Sequence, residues 1–465
     1  MFKDDFVWGA ATSAYQIEGA AFEDGKGLSV WDEFCRQEGR IFQGHTGDTA
    51  CDHYHRYKED IALMKELGIK AYRFSISWTR ILPDGLGRLE EKGVRFYRNL
   101  AEELKNQGIT PYATLFHWDY PVALMRKGGW LNPDSPRWFE EYAAAVADEL
   151  GDCIRDFYTF NEPQMMFGNT FVSTNLAPGY RMADSDVIKM IHNMLLAHGL
   201  AVQAIRKRIP DARVGAALCS DPVIPELEDE RSIEAARELY FKAGDTMEEL
   251  SFGLSWYSDP LMLGSYPEDG LEKFGKYLPK GWQEDMKTIC QPLDYYGQNI
   301  YSGNTVRLGE DGKAVPRMRP AGHPKTALDW PIDPEALYWG PRFLYERYQT
   351  PVVITENGLS CHDAVSLDGR VHDPNRIDYL NRYLLQLERA SEEGICVWGY
   401  FHWSLMDNFE WTQGYNERFG LIYIDYETLE RIPKDSFYWY KEVVKTNGES
   451  LGPISGLADG EKKGE

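Results

Sequence analysis

The sequence predicts an α/β fold over residues 1–465: one domain, a single (β/α)8 TIM barrel whose long βα loops form the mouth of a site. Three observations predict it. Eight short apolar or β-branched runs recur along the chain, amphipathic stretches with recognisable helix ends lie between them, and no linker or composition break divides the whole. At about 150 residues per domain, a chain of 465 residues would suggest three domains. Barrels of this class often reach several hundred residues as one domain, and the repeated pattern favours that reading. A doubly wound open sheet is the structural alternative, but no Gly-x-Gly-x-x-Gly follows the first run.

The runs occupy residues 6–13, 71–78, 111–118, 157–161, 213–218, 295–301, 352–356 and 397–404. Most are nearly continuous in apolar residues rather than strictly alternating. That is how strands covered on both faces read, and it predicts a parallel sheet. Between them, residues 55–67 end at Gly68 and residues 93–107 end at Gly108. Ser135 is expected as an N-cap with Pro136 at the first helical position; Trp138, Phe139, Tyr142, Val146 and Leu150 then follow at helical spacing until Gly151. Residues 186–208 stop before Pro210, and residues 377–393 end at Gly394. The connections 119–132, 164–186, 302–334 and 407–422 are long enough to build the mouth of a pocket. Residues 456–465 read as a frayed end.

Composition narrows the function classes. Fifty Lys+Arg against 73 Asp+Glu leave a net charge of −23, the wrong balance for a protein that tracks phosphates along nucleic acid. A 43% hydrophobic content excludes general disorder. The first eight residues hold no long apolar stretch, so no secretory signal or membrane anchor is expected. Seven cysteines, an odd number with no Cys-x-x-Cys pair, fit a reducing cytoplasm. His53 and His55 are spaced i, i+2, and His192 and His198 share one helix; packed or capping roles suit them better than a metal, and neither metal nor cofactor is expected.

In a barrel the chemistry belongs where strands finish. Glu162, within Thr159-Phe160-Asn161-Glu162-Pro163, and Glu356, within Ile354-Thr355-Glu356-Asn357-Gly358, occupy such ends. Pro163 is expected to hold Glu162 extended, and Asn357-Gly358 is a turn signal that puts Glu356 at the rim. The two lie about three strands apart, across the mouth. Taken singly, each is an ordinary solvated glutamate; as a facing pair they are what glycosidic bond cleavage needs, one carboxyl to protonate the leaving oxygen and one to attack or stabilise the anomeric carbon. The other strand ends add groups that suit the hydroxyls and C–H faces of a neutral sugar: Gln16, His117, Trp118, Asn299, Tyr301, Trp403, Glu410 and Trp411. Asn161 poses a problem, because neighbours in a strand point to opposite faces; it and Glu162 can share a pocket only if the strand bulges or ends there.

Taken together the motifs carry a family resemblance. Residues 6–19 read Phe-Val-Trp-Gly-Ala-Ala-Thr-Ser-Ala-Tyr-Gln-Ile-Glu-Gly; residues 72–78 read Tyr-Arg-Phe-Ser-Ile-Ser-Trp, and Leu115-Phe116-His117-Trp118-Asp119 follows. With the two glutamate motifs and the segment from Trp403 to Trp411, the chain strongly resembles, end to end, the β-glucosidases of glycoside hydrolase family 1. The resemblance implies a single (β/α)8 barrel, with Glu162 as general acid and base and Glu356 as the nucleophile of a retaining double displacement. Retention requires the carboxyls about 5–5.5 Å apart. It implies that Arg73 and Tyr301 keep Glu356 ionised. Gln16, His117, Asn161, Glu410 and Trp411 would bind the glycone, Trp403 would be its stacking floor, Phe419 would lie beside its C6 end, and Trp330 would form a wall farther out.

The implied activity is removal of terminal nonreducing β-D-glucosyl residues from cello-oligosaccharides and from aryl or alkyl β-glucosides, with side activity on β-galactosides or β-fucosides. Two alternatives are a 6-phospho-β-glycosidase and a noncatalytic sugar-binding protein of the same fold. Relatives acting on 6-phosphosugars would carry Ser where Glu410 stands; here residues 416–419 read Asn-Glu-Arg-Phe, and a carboxylate repels phosphate. The thioglucosidase branch would carry Gln in place of Glu162. The segment after Pro163 keeps only part of the family pattern, so Met165, Met166 and Phe167 stand equally for core or pocket. A small-molecule β-glucoside is the expected partner, with no nucleic acid or membrane; the sequence leaves oligomeric state open.

Overall fold

Eight parallel strands close on themselves in a computed structural model that describes residues 2–453; the segment 456–465, expected to fray, lies outside the described residues. The strands are β1 (Val7–Ala11), β2 (Ala71–Ser75), β3 (Thr110–Phe116), β4 (Asp156–Asn161), β5 (Arg213–Cys219), β6 (Tyr295–Asn299), β7 (Val352–Asn357) and β8 (Val397–Trp403). Each pairs in parallel with its neighbours in sequence order, and β8 closes on β1, Val7 opposite Gly399 through Ala11 opposite Trp403. Every apolar run of the sequence coincides with one barrel strand to within three residues at either end. The runs overshoot at the C-terminal ends of β1, β2, β3, β6 and β8, because residues there such as Trp78 and Trp118 are buried by loops rather than by the sheet.

The barrel interior is filled rather than open. Tyr112, Tyr158, Tyr295 and Phe401 project inward, with Tyr158 and Tyr295 at a ring-centroid distance of 5.0 Å and Tyr112 and Phe401 at 5.2 Å. Such rings require small neighbours: a Cβ on Gly215 would lie 2.4 Å from the Tyr295 ring. This aromatic plug closes the floor beneath the strand ends.

Helices His53–Leu67, Glu91–Asn106, Ser135–Leu150, Asp184–Arg208 and Pro374–Glu392 match the amphipathic stretches, each starting one to three residues earlier than read. The N-cap of the third is Asp134, and Ser135 lies inside its first turn with its hydroxyl donated to the Trp130 carbonyl. The fifth begins at Pro374, whose missing N–H costs nothing at a helix start. No helix among the described residues is long and apolar enough to cross a membrane. All seven cysteines are free thiols.

Candidate active site

Above the aromatic plug, at the C-terminal ends of the strands, lies a cavity of about 760 Å³. Glu162, Glu356, Tyr301, His117, Trp118, Asn161, Asn299, Trp330, Trp403, Glu410, Trp411 and Phe419 all line it. Gln16 and Arg73 stand immediately behind that lining. Arg73 is fully buried beneath Glu356, and the side-chain amide of Gln16 is engaged with Ser13, Asn408 and the Phe409 carbonyl.

Local backbone geometry decides how β4 delivers its two groups. The β4–β5 register slips between Tyr158 and Asn161, and Glu162 then adopts φ 46°, ψ 62°, in the left-handed region. The extended conformation expected from Pro163 is therefore not the one adopted. Pro163 opens the short helix Pro163–Phe167 with Glu162 as its N-cap, and the Glu162 N–H donates to the Ala217 carbonyl on β5 at 2.8 Å. The proline closes the right-handed region to Glu162, and the bulge with its cross-strand bond holds the left-handed alternative. In consequence Asn161 and Glu162, adjacent in sequence, face one cavity.

A continuous network joins these groups. Arg73 donates to Glu356 Oε1 at 2.6 Å and to Asn161 Oδ1 at 2.7 Å. The Tyr301 hydroxyl donates to Glu356 Oε2 at 2.8 Å, while the Tyr301 carbonyl accepts from Tyr379 at 2.9 Å and Tyr383 at 3.0 Å. Asn299 Nδ2 donates to Glu162 Oε1 at 2.7 Å and to Asn161 Oδ1 at 3.1 Å, and Thr355 donates to Asn299 Oδ1. Asn161 Nδ2, in the assigned amide orientation, donates to His117 Nε2 at 3.1 Å. Both glutamates are thus held from below, one by a cation and a phenol, the other by a neutral amide.

That difference separates their protonation. Burial, then the nearby Glu356 charge, pushes the Glu162 carboxyl up to about 8. Burial also raises Glu356, but Arg73, Tyr301 and Asn299 all pull it back. Glu410 is pushed up to about 8 by burial, then by Glu356, Glu417 and Glu162. His117 is held well below its ordinary value by burial and by Arg73, and is neutral. Its Nδ1 and the Glu410 Oε2 are buried without a protein partner. A buried polar atom left unpaired is costly, so both edges of the cavity are poised for hydroxyl groups.

Indole rings form the walls. Trp403 lies parallel to His117 at 5.8 Å, and Trp411 packs on Trp118 at 4.6 Å and on Trp31 at 4.5 Å. Trp330 meets Tyr301 at 5.3 Å and Phe419 at 6.0 Å, farther out. Gly358 allows the turn after β7 to reach Trp403: a Cβ there would lie 1.7 Å from the Trp403 carbonyl oxygen.

Of the loops expected at the mouth, 164–186, 302–334 and 407–422 contribute. Segment 119–132 does not line the cavity. Pro121 instead bridges to Ser29, and its place is taken by Gly39 and Arg40 from the connection after β1. Met165 lines the pocket, whereas Met166 and Phe167 are core. The sequence reading passed over Cys219, Ser220 and Asp221, although their position at the end of β5 was a usable signal; Arg40 carried none. The histidines weighed for metal are engaged elsewhere: His53 with Asp60 at 2.7 Å, His198 with Thr159 at 2.7 Å and His192 with Tyr266 at 2.9 Å.

Comparison with known proteins accords with this geometry. The sequence model of glycosyl hydrolase family 1 matches residues 1–449. β-Glucosidase A of Thermotoga maritima is 44% identical over 449 residues, covering 96% of this chain and 98% of its own. β-Glucosidase A of Acetivibrio thermocellus is 45% identical over 460 residues, covering 96% and 99%. A solved structure of β-glucosidase from Thermotoga maritima in complex with glucoimidazole superposes with a TM-score of 0.87 at 44% identity, covering 96% of this chain and 99% of that one.

Proposed function

The chain belongs to glycosyl hydrolase family 1, and from that premise we propose that it is an exo-acting β-glucosidase working by double displacement with retention of configuration. One observation carries the reading: two buried carboxyls share a cavity, and only Glu356 has a guanidinium and a phenol on its oxygens. Glu162 is the acid. With its carboxyl up at about 8 it holds a proton at neutral pH. It protonates the glycosidic oxygen as Glu356 attacks the anomeric carbon, the C–O bond to the leaving group breaks, and the aglycone departs as an alcohol. The resulting ester neutralises Glu356, which removes the charge that raised Glu162. Glu162 then accepts a proton from water as that water attacks the anomeric carbon and frees Glu356.

The glycone lies over Trp403. His117, Asn161, Asn299, Glu410 and Trp411 present hydrogen-bonding groups to its hydroxyls, with Gln16 steadying Glu410 from behind. Trp118 walls the inner pocket, Phe419 lies at the C6 end and Trp330 flanks the leaving group. A closed floor favours a terminal sugar, so cello-oligosaccharides and aryl or alkyl β-glucosides are the substrates, with β-galactosides and β-fucosides turned over as side reactions. A C6 phosphate is disfavoured: Glu417 is a buried carboxyl, Glu410 is half-buried with its Oε2 enclosed, and the Arg418 guanidinium is engaged by Asp407 at 2.6 Å. The free thiols support a reducing, cytoplasmic setting, and one catalytic domain spanning the chain suffices for the chemistry.

Product analysis tests the proposal. Proton NMR during early hydrolysis of an aryl β-glucoside should show β-glucose forming before mutarotation; initial α-glucose would exclude the double displacement. No hydrolysis by folded protein would favour a sugar-binding role instead.

A further inference from the structure

The leaving-group side of the cavity carries a charge that the reaction does not use. Asp221 follows the end of β5 by two residues and lines the cavity together with Glu162. Its side chain is exposed, and no hydrogen bond or ion pair to its carboxylate forms among the described residues. Arg319 opposes its charge, but that guanidinium is engaged by Asp333 at 2.9 Å and by the Gly303 carbonyl, and Asp333 adds a further negative charge. Asp221 is also one of the charges that raise the Glu162 carboxyl, after burial and Glu356, which places it within electrostatic reach of the acid. The acid must sit beside the leaving oxygen, so a group on its outer flank faces the aglycone rather than the sugar.

We propose that Asp221 is a specificity-determining residue that selects by charge among aglycones, favouring cationic over neutral and neutral over anionic groups. The inference rests on the glucosidase reading and deepens it. The balance of the cavity supports it. Among the described residues that line it, Glu356 and Asp221 are the carboxyls not held up near 8, and Glu356 is already paired with Arg73, whereas the one lining guanidinium, Arg40, already packs over the Phe34 ring at 5.1 Å. An anionic aglycone therefore enters against the prevailing field, and a cationic one enters with it.

Three S-linked aryl β-glucosides, which resist hydrolysis, make the probe: 4-(aminomethyl)phenyl, unsubstituted phenyl and 4-carboxyphenyl. Calorimetric binding to the whole protein, on the alkaline side of neutrality and at low salt, should show the ammonium ligand bound about fivefold more tightly than the carboxylate, the scale one partly exposed charge pair sustains. The ratio should shrink as ionic strength rises through ~0.15 M, where screening reaches ~8 Å. Asp221→Asn should bring it near unity and Asp221→Lys should invert it. A wild-type ratio of one, or a ratio unmoved in both variants with intact thermal melts, overturns the charge selection while leaving the glucosidase reading in place. If none of the three ligands binds, the glucosidase reading falls, and the selection falls with it. The wild-type ratio and its salt dependence need no variant to fold.

Discussion

Replacing Tyr301 by Phe removes one oxygen and tests how the proposed nucleophile, Glu356, is kept charged. The phenol donates to Glu356 Oε2 at 2.8 Å, while its ring is held between Trp330 at 5.3 Å and Phe419 at 6.2 Å, so the substitution deletes the bond and keeps the wall. A hydrogen bond to a charged group contributes about 1.5–3 kcal/mol. At about 1.36 kcal/mol per pH unit, losing it raises the Glu356 carboxyl by about one to two units. Burial already pushes that carboxyl up, and Arg73 and Asn299 then remain to oppose it. A nucleophilic carboxylate acts only above its pKa, so the acidic limb of the kcat/KM profile must move to higher pH, and activity below that limb falls about tenfold for each unit of displacement. The assay is the pH profile of kcat/KM on an aryl β-glucoside, with the limb assigned to the coupled Glu162–Glu356 pair. A uniform loss at all pH values with an unmoved acidic limb would refute the reasoning and leave Tyr301 as a wall of the pocket only.

Other changes follow from the same geometry. Glu356→Ala should abolish hydrolysis while the thermal transition persists; ordinary residual turnover would remove Glu356 from the nucleophile's role. Because Glu356 raises Glu162, this variant should also move the Glu162 titration downward, read by carbonyl infrared difference spectroscopy. Glu410 has a folded-state carboxyl pushed up to about 8 from a reference of 4.5, so its contribution to stability is full below about 4.5 and is lost as pH rises toward 8. Glu410→Gln should therefore melt progressively higher than wild type across that window while weakening glucoside binding; a constant difference in melting temperature would contradict the assigned burial. Gly215→Ala places a Cβ 2.4 Å from the Tyr295 ring and should cost ~1–3 kcal/mol by denaturant titration, with the acidic limb of the rate profile unmoved.

Much of the site was legible in the chain itself. Glu162 and Glu356 stand out because a strand run ends at each, one before Pro163 and one before Asn357-Gly358, and both line the cavity. His117, Trp118 and Trp403 are found by the same rule, and Trp411 by the motif from Trp403 to Trp411. Asp221 obeys that rule too and was passed over, since a lone aspartate after a strand carries no motif. Arg40 could not be found, because it reaches the mouth from a long connection with no periodic signal, in the place expected for segment 119–132. The backbone of Glu162 was misread for a definite reason: Pro163 restricts the residue before it, but the register slip between β4 and β5 selects which remaining region is occupied.

Sequence alone determined the order of the barrel strands and of the five helices read between them, the closed parallel class of the sheet and most of the residues that line the cavity at its rim. Those follow from hydrophobic periodicity and helix ends, which are local properties that survive without knowledge of neighbours. Only the tertiary structure decided how Asn161 and Glu162 turn to one pocket, that Arg73 spans Glu356 and Asn161, that Glu162 and Glu410 are held near 8, and that His117 and Glu410 each keep an unpaired polar atom in the cavity. Each of these depends on groups far apart in the chain and on the loss of solvent around them, and both arise only once β8 has closed on β1.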